Sequence, residues 1–215
     1  MGKEERLQQQ FAFCREIDKE KRIKRQTYQS DAKTRENDAE HAWHMAVMAI
    51  LLEEYSEEKI DLLKTVTMLL IHDLVEIDAG DTYAYDPEAK KTQKEREKKA
   101  ADRIFSLLPP DQGERFRAIW EEFEAWESPE ACFAHTLDNV QPAMLNDTAK
   151  GISWKEHGVR LEQILERNRR TGEGSEILWK YAREHFIEPH VGKAIIPENC
   201  AKVSFGESDK HSKES

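Results

Sequence analysis

The chain has 215 residues, of which 38% are hydrophobic and 35% charged, and its formal net charge at pH 7 is −10. This length favours one well-cored domain. The negative charge argues against a general affinity for DNA or RNA backbones, which requires an excess of Lys and Arg. A small anionic substrate is still compatible with the charge, because a bound metal and a few local cations can reverse the field in one cleft.

The cysteines and the apolar stretches indicate the compartment. Cys14, Cys132 and Cys200 follow no CxxC spacing, and residues 1–10 are polar and charged, unlike a secretory signal peptide. Charged residues interrupt every apolar stretch well before the roughly 20 residues that a membrane span requires. We therefore expect a soluble cytoplasmic protein with no membrane partner and no nucleic-acid polymer as partner.

Helical patterns dominate from the N-terminus onward. Apolar residues at helical spacing predict a first helix over residues 5–24, followed by a polar, irregular stretch to Lys33. Asn37 or Asp38 has the short polar side chain that suits a helix N-cap. The next segment, residues 39–54, is apolar almost all round, which predicts a centrally buried helix.

The rest of the chain continues the helical pattern. The same spacing predicts further helices over residues 58–77, 90–108, 112–126, 129–145, 153–168 and 175–188. Gly80 can end the first of these, and Pro142 interrupts the fourth. The sequence has no repeat, no alternating strand pattern and no glycine-rich phosphate loop. We predict an all-α, single-domain helical bundle over residues 1–196 and a disordered tail over residues 197–215.

Several polar residues stand where apolar residues are expected. His72 and Asp73 follow the apolar run 68–71, and burial of a lone carboxylate is costly unless it has a cationic partner or a metal. His41 lies near the start of an apolar helix, and Asp138 interrupts the apolar stripe of a later one. Each alone is typical of a satisfied polar group in the core. Together they would supply two imidazoles and two carboxylates, which suit Mn, Fe, Co, Ni or Zn better than Ca.

These residues carry a resemblance to a known family. The order His, then His-Asp, then Asp resembles the HD superfamily of metal-dependent phosphohydrolases. Residues 36–41, ENDAEH, are similar to the EN-x-x-EH segment of its 5′-deoxynucleotidase-like branch, and residues 72–81, HDLVEIDAGD, to the HD-x-x-E-x-x-x-GD segment. The resemblance spans residues 25–138.

The resemblance implies a mononuclear metal site and a set of roles. The implied metal ligands are His41, His72, Asp73 and Asp138. Glu76 would activate the attacking water or relay its proton, Asp81 would help to position that water, and Arg25 would contact the phosphate. The metal would be Mn, Co, Fe, Ni or Zn, with Mg also allowed. Gln26 stands where deoxynucleotidases of the branch have tryptophan, so a preference for deoxyribose is not implied.

The expected activity is hydrolysis of a phosphomonoester, with a nucleoside 5′-monophosphate as the leading substrate. One alternative is a phosphodiesterase or pyrophosphohydrolase that acts on a signalling nucleotide. Binuclear enzymes of that kind carry additional histidines before the last aspartate, where this chain has only His135. The other alternative is a non-catalytic, metal-stabilised helical binding protein, and Glu76 and Asp81 count against it.

Three further expectations concern the surroundings of the site. His44, one helical turn from His41, is expected to pack beside the metal ligands rather than to join them. Residues 153–158, which include Trp154, are compatible both with a wall of the substrate pocket and with the core. Proteins that resemble this chain are commonly dimers, and the apolar helices would permit a homodimer.

Overall fold

The computed structural model describes residues 1–198, and helices account for most of them. The helices are α1 (Lys3–Ile17), α2 (Asp38–Leu52), α3 (Leu62–Ile71), α4 (Glu76–Ala79), α5 (Pro87–Phe105), α6 (Pro110–Ala125), α7 (Pro129–Thr148), α8 (Ile152–Glu156), α9 (Leu161–Arg167) and α10 (Glu176–Ala182). Within residues 1–198, no helix is both long enough and apolar enough to cross a bilayer. From residue 199 onward, the tail that was predicted to be disordered lies outside the described residues.

Two short antiparallel strands, β1 (Lys24–Tyr28) and β2 (Arg35–Asn37), lie between α1 and α2. The carboxylate of Asp31 shapes the turn between them by accepting hydrogen bonds from the backbone N–H groups of Lys33 and Thr34, both at 2.8 Å. The predictions of an irregular stretch here and of a helix to residue 24 are therefore wrong. The strands are polar and pair through their backbones, so the sequence shows no apolar alternation.

Caps set the start of α2, which carries His41, and of α3, which leads directly to His72. Asn37 is the N-cap of α2, as predicted, and Asp61 caps α3 by accepting from the backbone N–H of Lys64 at 3.1 Å. The helix predicted from residue 58 therefore begins four residues later, at Leu62. Beyond Ile71 the backbone tightens into the 3₁₀ turn His72–Val75 and continues as α4.

Helix α7 lies at the centre of the fold and packs against α2, α3, α6 and α10. The largest side chains that are fully buried in this main core are those of Met45, Met68, Leu69, Phe133 and Leu137. A second cluster joins α5 to α6, and a third surrounds α8 and α9. The prediction of an all-α, single-domain bundle is confirmed.

Two further predictions need correction. Helix α2 is not buried all round, because Trp43, Ile50 and Leu51 are 64%, 59% and 67% exposed. The helix predicted over residues 153–168 is divided into α8 and α9. The break falls at Gly158, whose φ of +57° is a left-handed conformation that a helix interior does not allow.

Candidate metal centre and active site

The N-terminus of α2 places His41 in the interior. The side chain of Asn37 accepts from the backbone N–H of Glu40 at 3.0 Å, and the Glu40 carboxylate accepts from the backbone N–H of Asn37 at 2.9 Å. This reciprocal pair fixes where the helix starts. His41 therefore lies in the first turn, where its side chain is fully buried.

His72 and Asp73 enter the same space from the end of α3. The Nδ1–H of His72 donates to the carbonyl oxygen of Leu69 at 3.0 Å, which fixes the orientation of the ring. Asp73 follows directly, with a side chain that is 13% exposed. The tight 3₁₀ turn that begins at His72 brings both side chains into one cavity.

Asp138 completes the group from α7. Its Oδ1 lies 3.1 Å from Nε2 of His41 and 3.9 Å from Nε2 of His72. Nε2 of His72 also lies 3.1 Å from Oδ2 of Asp73. The structure thus brings together the four side chains that were predicted to be metal ligands, and they come from three separate stretches of the chain.

The hydrogen bonds of the two rings leave both Nε2 atoms facing carboxylates. The Leu69 carbonyl can only accept, so Nδ1 of His72 carries a hydrogen. Nδ1 of His41 lies 2.9 Å from Oε1 of Gln141, whose Nε2 donates to Glu36, so this Nδ1 also donates. In the neutral rings each Nε2 therefore carries a lone pair that points at carboxylate oxygens. A cation bound between the imidazole nitrogens and these oxygens would satisfy both kinds of atom. The mixed nitrogen and oxygen set fits a divalent transition metal.

The environment treats the two imidazoles differently. Burial lowers the pKa of His41 to about 4, and the charge of Arg25 acts in the same direction. Burial also opposes protonation of His72, but the carboxylates of Asp73 and Asp138 outweigh it and raise its pKa to about 9. The carboxylates thus attract positive charge to the point that a metal ion would occupy.

Arg25, on β1, lies directly beside the metal ligands. Its Nη1 donates to Oδ2 of Asp73 at 2.7 Å and to Oδ1 of Asp38 at 3.2 Å, and its Nε is 3.9 Å from Oε2 of Glu36. Its side chain is only 13% exposed. The guanidinium therefore lies in the site as expected, but carboxylates of the protein already engage much of its charge.

Glu76 and Asp81 border the same space. Oxygen atoms of Asp38, Asp73 and Glu76 lie within 4.8 Å of one another, and Oε2 of Glu76 has no hydrogen-bond partner among residues 1–198. Burial, with the charges of Asp73 and Asp38, raises the pKa of Glu76 well above its usual range. Asp81 follows Gly80, whose φ of +74° turns the chain back towards the cavity, and burial raises the pKa of Asp81 as well.

A cavity of about 290 Å³ connects these groups. Carboxylates and imidazole line one end, and Tyr83, Tyr85 and Trp154 line another part of the wall. Trp154 is 3% exposed and also packs in the third core cluster, so both expectations for its segment hold for this residue. His157, in the same segment, packs against Tyr83 with the rings tilted by 41° and their centroids 4.4 Å apart.

Residues 17–179 match a protein-family model described as HD domain, which covers most of the chain. This chain belongs to the HD-domain family. It is 46% identical to a predicted metal-dependent phosphohydrolase from Magnetospirillum magnetotacticum MS-1, whose crystal structure superposes with a TM-score of 0.84 over 89% of this chain and 96% of that chain.

Curated relatives of this HD-domain protein carry an activity in their names. The 5′-deoxynucleotidase HDDC2 of Homo sapiens is 32% identical over 106 residues, which are 49% of this chain and 50% of that protein. The protein of the same name from Danio rerio is 33% identical over 49% of this chain and 52% of its own length. The chain therefore spans about half the length of the curated relatives that it matches.

Two histidines lie close to the metal group without joining it. Nε2 of His135 donates to the carbonyl oxygen of Phe123 at 2.9 Å, and its ring stacks on Trp126 with centroids 3.8 Å apart. That nitrogen is not free to bind a second metal. Nδ1 of His44 lies 3.2 Å from the Gln141 amide, so His44 packs beside the site of the HD domain rather than inside it.

Sequence reasoning missed three residues of this site. Asp38 was considered only as a cap, yet it is fully buried and bonded to Arg25. Gln141 orients His41, and the signal was its position three residues after Asp138, on the same face of a helix. Arg167 lines the cavity from α9, and nothing in its polar local sequence distinguishes it from a surface arginine.

Proposed function

We propose that the protein is a divalent-metal-dependent phosphomonoesterase and that its leading substrate is a nucleoside 5′-monophosphate. The convergence of His41, His72, Asp73 and Asp138, with both imidazole Nε2 atoms facing carboxylate oxygens, carries this proposal. Membership of the HD-domain family supports it, as do the names of the relatives. The metal would be Mn, Co, Fe, Ni or Zn, with Mg also allowed.

The residues of the site have complementary tasks. When bound, the divalent cation would polarise a phosphoryl oxygen and lower the pKa of a water molecule. Glu76 would accept the proton of the attacking water, because its carboxylate lies beside Asp73 and its buried Oε2 has no hydrogen-bond partner among residues 1–198. Asp81 would accept a hydrogen bond from that water and orient it. Arg25 would hold Asp73 in place and offer its remaining N–H groups to the phosphate.

The aromatic part of the cavity suits a nucleoside. Tyr83, Tyr85 and Trp154 offer flat apolar surface beside polar groups, the usual combination of a small-molecule site. Gln26 lines the cavity at the position where deoxynucleotidases of the branch have tryptophan. We therefore propose a nucleotide substrate without assigning a preference between ribose and deoxyribose.

A homodimer and a cytoplasmic location belong to the same proposal. Helices α2 and α3 pack together and expose two apolar stripes, with Trp43, Ile50 and Leu51 on one and Leu63, 72% exposed, on the other. A second copy of the chain would cover apolar surface of this kind. The free thiol of Cys14 is compatible with a reducing cytoplasm.

Sedimentation or light scattering tests the dimer directly. The wild-type chain should have twice the monomer mass, and Leu63→Glu should shift it towards the monomer, because the charge would be buried in the interface. Leu7→Glu, on the 50% exposed Leu7 of α1, is the matched control and should stay dimeric. A wild-type chain that is monomeric at micromolar concentration would contradict the dimer.

A substrate panel tests the activity. The protein is loaded in turn with Mn, Co and Mg and offered ribo- and deoxyribonucleoside 5′-monophosphates, phosphodiesters and pyrophosphates, and the release of inorganic phosphate or nucleoside is measured. Release of phosphate from monophosphates alone is the expected result. Cleavage of diesters or pyrophosphates in its place would support the alternative activities, and no cleavage of any compound would support a binding protein.

A further inference from the structure

The cavity holds more carboxylates than free cations. Asp73, Glu76, Asp81 and Asp138 line it, and the buried Asp38 lies directly beside Asp73 and Glu76. Arg25 is engaged by two of them, at 2.7 Å and 3.2 Å. A phosphate dianion would meet repulsion here unless further positive charge faced it. A metal ion would supply part of that charge, and cations on the cavity wall would have to supply the remainder.

Arg167 is the cation on the wall whose charge is least engaged. Its Nη2 lies 3.9 Å from Oδ2 of Asp138, too far for a hydrogen bond, and no other carboxylate of residues 1–198 lies within 4.0 Å of it. Arg170, three positions later, differs in this respect, because its Nη2 lies 2.7 Å from Oε2 of Glu173.

The position of Arg167 suits an incoming anion. It is the last residue of α9, and it lines both the inner cavity and a more open cavity of about 610 Å³ that shares Tyr85 and Trp126 with it. The guanidinium therefore lies at the junction between the metal centre and the entrance. Its side chain is 30% exposed, so solvent and ligands can reach it.

The backbone that carries Arg167 is held firmly. Ile164, one turn earlier, is 1% exposed in the third core cluster. The side-chain amide of Asn168 donates to the Ile164 carbonyl at 2.8 Å and its oxygen accepts from Thr171 at 3.0 Å. A binding group on a fixed backbone loses less conformational freedom when its ligand arrives.

We propose that Arg167 is a phosphate-binding residue of this site, opposite Arg25. Arg25 approaches the centre on the side of Asp73 and Arg167 on the side of Asp138. A phosphate that reaches the metal centre would therefore lie between two guanidinium groups, and the planar fork of Arg167 matches two of its oxygens. This inference rests on the proposed function, because it assumes that a phosphate group occupies the cavity.

The test measures phosphate binding as well as turnover. Arg167→Met, Arg167→Gln and Arg167→Lys are prepared as full-length, Mn-loaded protein with metal content and melting temperature recorded. Arg183→Met is the matched control, since Arg183 is 51% exposed and its guanidinium pairs with Glu188 at 3.0 Å, away from the cavity lining. The Kd of inorganic phosphate is measured by calorimetry, and the KM is measured for the best substrate of the panel.

The Met and Gln variants should bind phosphate roughly 10- to 100-fold more weakly, as expected for loss of hydrogen bonds to a charged group. The phosphate affinity of Arg167→Lys should lie between those of the uncharged variants and the wild type. The phosphate affinity of Arg183→Met should equal that of the wild type. Metal content should be unchanged in all. If either uncharged variant folds, keeps its metal and binds phosphate within twofold of the wild type, the assignment of Arg167 is wrong.

The two proposals can fail separately. If the wild-type protein hydrolyses no compound of the panel, the proposed function fails, but calorimetry on the Mn-loaded protein still decides whether Arg167 binds phosphate. If the wild-type protein is active and KM and Kd are unchanged in the variants, only the role of Arg167 is removed.

Discussion

Gln141 offers the sharpest test of how the metal centre is held, because it connects His41 to Glu36, two buried groups whose own 3.7 Å approach is too long for a hydrogen bond. Its Oε1 accepts from Nδ1 of His41 at 2.9 Å, and its Nε2 donates to Oε1 of Glu36 at 2.6 Å. The side chain is completely buried. Gln141→Met keeps nearly the same volume, so the change leaves little cavity. It removes the hydrogen bonds to the buried His41 and Glu36, and also the 3.2 Å contact with the half-buried His44.

The magnitude follows from what remains unpaired. A buried polar group that loses its partner costs roughly 1–3 kcal/mol, so two such groups would destabilise the metal-free protein by roughly 2–6 kcal/mol. Burial raises the pKa of Glu36 to about 7, so this carboxyl can take up a proton when it loses its partner. The neutral carboxyl would contribute less to the destabilisation than a buried carboxylate. We therefore expect the free energy of unfolding of the metal-free protein to fall by an amount near the lower limit of this range. Loss of the partner of a metal-ligating His should weaken metal affinity roughly 10- to 100-fold.

Urea denaturation of the metal-free protein and Mn²⁺ competition against a fluorescent chelator measure the two effects. Gln112→Met is the control. Gln112 lies near the N-terminus of α6, which carries none of the four candidate ligands, and its side chain accepts a hydrogen bond from Gln10 at a partly buried site. It should change stability by about 0.5 kcal/mol or less and leave metal affinity unchanged. If Gln141→Met binds Mn²⁺ within threefold of the wild type, Gln141 does not orient His41 for the metal.

Two further predictions concern the chemistry and the metal. Glu76→Gln should lower phosphate release by roughly 10²- to 10⁴-fold, as expected for loss of a general base. Metal content measured by elemental analysis should be unchanged, and unchanged turnover would remove Glu76 from the mechanism. Removal of metal with a chelator should lower the melting temperature, and Mn²⁺ should restore it, because a ligand that binds only the folded state stabilises that state. A melting temperature that does not depend on metal would argue against the His and Asp side chains as ligands.

The helices of the interior could be predicted from sequence because burial imposes a period on them. The predicted apolar stripe of α7, for example, contains Phe133 and Leu137, which are fully buried. The burial of α2 could not be predicted, since a helix that is apolar all round is typical both of a central helix and of one whose outer face is covered by something else. Its exposed Trp43 and Ile50 show that residues 1–198 do not cover that face.

The candidate ligands could also be found in the sequence, because each is a polar residue at a place where an apolar one is expected. The groups around them are much harder to identify from the sequence. Gln141 and Arg167 are polar residues in helices, and that pattern is typical of a solvated face. Only the packing of α7 against α2, and of α9 against the cavity, gives them their positions. Tertiary structure, rather than local pattern, determines which polar residues are buried.

The segment around His41 shows why a short motif can be more informative than its individual residues. Asn37 and Glu40 form the cap that starts α2 and so determine which residue of the first turn faces inward. Glu36, one position before the cap, accepts from the amide of Gln141, whose oxygen atom in turn fixes the His41 ring. The backbone start, the ring orientation and the ring position therefore depend on one another. The number of residues between Asn37 and His41 is therefore restricted. Insertion or deletion of one residue there would rotate His41 around the helix axis and turn it away from Asp138.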